Sequence, residues 1–258
     1  MMHLGLLDLP APVLDFVDGI LATIHVPAVA RLMIYGGIGG WLSMLLYRRT
    51  SPQQRLTALR AELAQVQAAV IKHDGDFGEM QGLIWRQLSL SLRQLGLTLA
   101  PALIGALPLL FSMPWVSNRF ELIEPNAGQS TRICTDPIDA AKTLHWPDSI
   151  AAEEGCWKIS WPQPSSPMAL MDTNQRELIA LPTPVPTTVV HKFHALNWLV
   201  ANPAGYLPDD ASLDAIHIDM PQQTFLPWGP TWLRGWELPL FFAAFAVSIA
   251  LKLRWKLH

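Results

Sequence analysis

Charge is scarce in this chain: only 15% of its 258 residues are Asp, Glu, Lys or Arg, while half are apolar. That balance leans away from an ordinary soluble domain and toward a membrane-embedded one. Positive charge is missing altogether from the first thirty residues, which hold Asp8, Asp15 and Asp18 but no lysine or arginine. A cleavable signal peptide needs a charged leading region and a continuous apolar one, and Pro10 and Pro12 interrupt any such run. The segment reads instead as an external amphipathic helix from about Pro12 to Ile24. Cysteine is reduced to Cys134 and Cys156. With no CxxC and no clear partner histidines, zinc is disfavoured, so a disulfide in an oxidising compartment is the expectation and two buried thiols the alternative. A phosphate-binding loop is missing too, since the glycines of "YGGIGG" fall inside an apolar helix, and no nucleophile elbow occurs. Nothing is basic enough to suggest nucleic-acid binding. No enzyme activity, cofactor or metal is therefore expected.

Three long apolar runs stand against these absences: Val29 to Tyr47, Leu95 to Trp115, and a shorter one from Leu238 to Leu251. Hydrocarbon about 30 Å thick needs roughly 20 apolar helical residues, so the spacing predicts membrane helices over 28–48, 94–115 and 236–253. A short third span suits a locally thinned bilayer or burial in a larger complex. Basic residues beside spans resist translocation. Arg48 and Arg49 close the first span, Arg55, Arg60, Lys72, Arg86 and Arg93 follow, and Lys252, Arg254 and Lys256 end the third. Residues 49–93 and the tail 254–258 are therefore expected in the cytoplasm, and residues 1–27 and 116–235 outside it. A multi-pass protein of a bacterial inner membrane, N-terminus outside and C-terminus cytoplasmic, fits this layout.

The cytoplasmic stretch carries Leu56, Leu59, Leu63, Val66 and Val70 at alternating spacings of three and four. Ser51 and Pro52 signal a helix start, and Asp76 with Glu79 resembles a capping box that opens a second helix after His73–Gly75. With Met80, Ile84 and Leu88 on the returning helix, the pattern predicts an antiparallel coiled-coil hairpin running on into the second span. Pro101, Pro108 and Pro114 are expected to kink that span. In the first span, Gly36, Gly37, Gly39 and Gly40 allow close backbone approach. Arg31 lies in its outer part, where a cation pairs, snorkels as an interfacial anchor, or faces a wet cavity.

Residues 116–235 hold most of the 22 prolines and short β-like runs at Trp157 to Trp161, Glu177 to Leu181, Thr187 to Phe193 and Ala215 to Asp219. They read as a mostly β, sandwich-like module with a helix near Asp136 to Leu144. His191 and His194 are expected on opposite faces of a strand, which disfavours a metal site. Asp209, Asp210 and Asp214 read as solvated acids rather than a calcium loop. Trp228, Trp232 and Trp236 suit an interfacial aromatic belt before the third span.

The order of an external N-terminus, a first span with an arginine, a cytoplasmic helical hairpin carried by "LYRRTSPQQRLTALRAELAQVQAAVIKHDGDFGEMQGL", and two further spans resembles the three-helix core of the YidC/Oxa/Alb membrane-protein insertases. The nearest branch is that of the archaeal YidC-like proteins and the core subunit of the eukaryotic ER membrane complex. The resemblance covers about residues 28–115 and 236–255. It implies a half-open hydrophilic groove that shortens the path of a client's polar flank, with Arg31 as its charge and Ser43, Ser91 and Thr98 as polar lining. Thr98 is equally read as bonded back to its own helix. Partners would be membrane lipid and nascent or client membrane proteins. Unlike those relatives, this chain places about 120 residues between its second and third spans. The alternative is a non-catalytic scaffold of an envelope complex, with the hairpin and the β module as docking surfaces for other subunits.

Overall fold

The computed structural model describes residues 5–147 and 150–255 and, within them, leaves aside the side chain of Trp232; Lys256 lies outside the described residues. The chain forms two compact units, Met1–Arg31 with Phe111–Leu238, and Leu32–Leu110 with Pro239–His258. Five α-helices are present among the described residues: α1 (Ala11–Thr23), α2 (Ala28–Thr50), α3 (Gln53–Lys72), α4 (Phe77–Phe120) and α5 (Glu237–Trp255). The division between units falls inside α2, α4 and α5. These three are the helices long and apolar enough to cross a membrane among the described residues.

In the helical unit, α2 is the central element. A Cβ on Gly36 would overlap the Leu240 carbonyl oxygen, and one on Gly40 would lie 2.5 Å from that of Ala244. The pairing runs in the same direction on both helices, so α2 and α5 are parallel. Gly39 meets Leu109, while Gly105 meets Ser43 and Tyr47, so α4 runs antiparallel to α2. Small residues thus sit inside, where helices that must attract one another without a hydrophobic driving force approach most closely. Large apolar side chains point outward, with Phe242, Phe245, Ile249 and Leu253 on α5 and Leu95, Leu99, Leu103 and Leu107 on α4 all exposed. At 1.5 Å per residue, the 44 residues of α4 extend about 66 Å, roughly twice a hydrocarbon core. The helix continues unbroken past Pro101, Pro108 and Pro114.

The expected helical hairpin is present as a pair of helices, α3 and the first half of α4. Asp76 caps α4 by accepting a hydrogen bond from the Gly78 amide at 3.1 Å. Ser51 does not cap α3; its hydroxyl instead receives Gln53 Nε2 at 2.8 Å. Leu59, Val66 and Leu90 form a buried cluster, flanked by Leu63, Val70 and Leu97, and Glu62 pairs with Arg86 at 2.9 Å. Leu56 is fully buried as well, and Met80 is half-buried. Ile84 and Leu88, expected in the seam, are 48% and 44% exposed instead. Successive steps of four residues drift about 40° per step around an α-helix, so Met80–Ile84–Leu88 rotates off the contact line. The line follows Met80, Leu83, Gln87, Leu90, Gln94 and Leu97, in which two glutamines occupy positions that a search for apolar residues skips.

The other unit is built, among the described residues, on six antiparallel strands: β1 (Ser130–Asp136), β2 (Cys156–Ser160), β3 (Met168–Met171), β4 (Glu177–Leu181), β5 (Val189–His191) and β6 (Ala215–Ile218). Four form a sheet in the order β2-β1-β6-β5, and β3 pairs with β4 separately. One core joins them, with Ile133, Trp157, Ile159 and Ile216 from the sheet and Leu170 and Leu181 from the hairpin. Cys134 and Cys156 face each other across β1 and β2 and form the expected disulfide. The helix expected near Asp136 to Leu144 is a shorter 3-10 segment, Ile138–Thr143. Because β5 ends at His191, the chain turns before His194 and the two imidazoles stack at 5.1 Å, correcting the expectation of opposite faces. Of the expected tryptophan belt, Trp228 is exposed but Trp236 is buried.

Close glycine contacts make α2 intolerant of a single methyl. Gly36→Ala and Gly40→Ala are each expected to lose about 1–3 kcal/mol by overpacking, read as a lower melting temperature in detergent. Gly37→Ala and Gly96→Ala, whose Cβ atoms would meet ordinary contact or open space, should leave melting unchanged or slightly raised.

Candidate functional site

Three aspartates near the N-terminus, with no cation among them in sequence, need partners from elsewhere in the fold. Helix α1 places Asp15 and Asp18 on one face, three residues apart. Asp18 is buried to 1% side-chain exposure. Arg31 Nη1, from the first turn of α2, donates to both Asp18 carboxylate oxygens at 2.8 Å. Arg119 Nε, from the last turn of α4, donates to Asp18 Oδ2 at 3.0 Å. Trp115 Nε1, one turn earlier, donates to Asp15 Oδ1 at 2.7 Å. The Arg31 guanidinium also lies over the Phe120 ring, 5.3 Å from its centroid, a cation–π arrangement. Phe120 is itself buried and meets Trp115 edge-on at 6.0 Å.

The Asp18 carboxylate is therefore a clamp that ties α1 to the beginning of one apolar helix and the end of another. Arg31 is 16% exposed and Arg119 53% exposed, so the first contact is the desolvated one. Arg31 Nε is buried without a hydrogen-bond partner among the described residues. Beside the clamp a cavity of about 370 Å³ opens, with Asp15, Trp115, Asn118, Arg119, Asn202 and Tyr206 in its wall.

The four positions that the insertase resemblance assigned to a groove fall in different settings. Arg31 is the ion-paired residue just described. Ser43 lies twelve residues further along α2, about 18 Å by helical rise, and its Oγ is buried without a partner among the described residues. Thr98 donates to the Gln94 and Leu95 carbonyls, both at 3.0 Å, so its hydroxyl is bonded back to its own helix. Ser91 is half-buried on the same face of α4. Two residues that the sequence reading did not single out complete this face: Gln87, Ser91, Gln94 and Thr98 recur at spacings of four, three and four, and all are half-buried. The row then continues into buried Pro101 and Gly105, the point where Ser43 and Tyr47 approach. Only the periodicity of these polar residues, which interleave with Leu83, Leu90 and Leu97 and turn away from the exposed Leu88, Leu92, Leu95 and Leu99, carries that signal. Among the described residues no group of three or more His, Cys, Asp or Glu is arranged to hold a metal ion.

The chain matches no protein-family model, no curated protein and no solved structure.

Removing one member of the clamp should cost more than removing the pair. Asp18→Asn leaves Arg31 uncompensated and is expected to destabilise by about 3–5 kcal/mol, whereas Asp18→Leu with Arg31→Met should recover much of that loss. Arg119→Ala, at an exposed pair, should cost no more than about 1 kcal/mol. Thermal unfolding of the purified protein in detergent gives all three values.

Proposed function

We propose that this chain is an insertase-like membrane protein that assists other proteins to enter or assemble in a bilayer. The observation that carries the reading is the polar, half-buried row of α4, which begins beside α3 in the helical hairpin and leads to Pro101 and Gly105, where Ser43 and Tyr47 of α2 approach. Such a row turns hydroxyl groups inward where α4 enters the bilayer and continues them with glutamines in the hairpin, so it offers hydrogen bonds to a polar segment in transit. On this reading the α3–α4 hairpin, acting as a short coiled coil on the cytoplasmic side, receives the client, and Ser43, Ser91 and Thr98 line its path. The short α5 suits a thinned bilayer. The disulfide supports an external β unit in an oxidising compartment, and the basic residues after α2 and α5 support a cytoplasmic placement of those ends in a bacterial inner membrane. No covalent chemistry is required of the protein.

A scaffold in an envelope complex is the second reading, favoured by the β unit's own core and by the cavity at its edge. The two readings separate in the native host. Depletion followed by quantification of the membrane proteome is expected to show selective loss of small or N-out membrane proteins. Wild type should restore them, and a variant with Gln87→Leu, Ser91→Ala and Gln94→Leu, present at equal abundance, should not. Because Arg31 is ion-paired, its contribution is tested by Asp18→Asn with Arg31→Gln, which removes both charges together. Loss of a single co-purifying complex, restored by every variant, would overturn the insertase reading in favour of a scaffold.

A further inference from the structure

Helix α1 is amphipathic in an unusual sense: its Asp18 is buried and its apolar face is bare. Leu9, Val13, Phe16, Ile20 and Ile24, at spacings of four, three, four and four, are between 49% and 72% exposed. They form one continuous stripe, while Asp15 and Asp18 on the other side are bound to Trp115, Arg31 and Arg119. The stripe has a neighbour. The Leu7 amide donates to the Leu199 carbonyl at 2.9 Å, and Asp8 Oδ2 accepts from the Ala201 amide at 2.8 Å. These bonds set the start of the stripe beside a loop of the β unit whose Leu196 and Trp198 are also exposed.

We propose that α1 is an interfacial membrane helix, its Leu9–Ile24 stripe embedded among lipid acyl chains at the headgroup boundary, with Trp198 at the interface. Three observations commit the surface to lipid. First, the Asp18 clamp fixes the opposite face of α1 to the first turn of α2 and the last turn of α4, which are terminal turns of two helices long and apolar enough to cross a membrane. Second, an exposed apolar stripe of this length on a unit with a complete core of its own marks an interaction surface. Third, a tryptophan beside an apolar stripe is the side chain that sits best at a membrane–water boundary. The stripe carries no lysine or arginine, so its insertion is driven by apolar burial and does not call for anionic lipid, unlike basic amphipathic helices. This inference does not depend on insertase activity.

The native cysteines are joined, so one added cysteine labels cleanly. Phe16→Cys and Ile20→Cys, each carrying an environment-sensitive nitrobenzoxadiazole dye on the full chain in phosphatidylcholine nanodiscs, are expected to show blue-shifted emission. Lipids spin-labelled near the headgroup should quench them more than lipids labelled at the chain terminus. Asn174→Cys, exposed on a turn of the β unit, should report water in the same particles. Water-like emission at Phe16 and Ile20 would overturn the proposal. So would blue-shifted emission that no lipid quencher reaches, which would assign the stripe to a second copy, or a blue shift seen only when anionic lipid is present.

Discussion

One buried carboxylate holds together parts of the chain that are more than a hundred residues apart. Asp18 has almost no solvent of its own, and a charge so placed is costly unless close opposite charges and hydrogen bonds replace the lost water. Arg31 and Arg119 supply them. The consequence is geometric as much as energetic: α1 cannot turn Asp18 outward without leaving Arg31 and Arg119 uncompensated. The apolar stripe therefore faces outward because the clamp faces inward. The same carboxylate answers why Arg31 is tolerated at the start of an apolar helix, where an unpaired cation would be expensive.

The helical unit follows the opposite logic to a soluble bundle, and its details are consistent with that. Its interior is assembled from Gly36, Gly40 and Gly105, whose missing side chains let backbones approach, from Gly39 against Leu109, and, along α3, from the half-buried polar row of α4. The outward faces of α4 and α5 are largely leucine and phenylalanine. In water such an arrangement would expose most of what the hydrophobic effect seeks to bury, whereas in hydrocarbon it leaves the polar groups with one another. The Ser43 hydroxyl, without a partner among the described residues, is the point at which that accounting stays open.

Much of this architecture was legible from residue order. The three apolar helices, the hairpin between the first two, the disulfide and the β4 and β6 segments follow from length, periodicity and cysteine economy, each a local property. The misses are those that depend on partners distant in sequence. Nothing near Asp18 announces that it will meet residues 31 and 119, and Arg31 alone cannot reveal whether it pairs or faces a cavity. The α4 seam was misplaced because Gln87 and Gln94 interrupt the apolar pattern that locates a seam, so Ile84 and Leu88 took their places. β1 and β3 escaped notice for a related reason: "STRICTD" alternates only weakly and "MALM" is short, and both become strands through the partners they pair with.

The clamp also bears on how the proposed function would be distributed over the chain. If Arg31 supplied a free charge to a groove, the cluster would need an anion only when a client arrived; instead Asp18 is already there, held at 2.8 Å. Among the residues proposed to line the path, the remaining groups are uncharged: an amide pair and three hydroxyls on α2 and α4. Uncharged donors and acceptors lower the cost of carrying a polar flank through hydrocarbon without selecting its sign. On that proposal, selectivity for a client would rest with groups other than those that line the path.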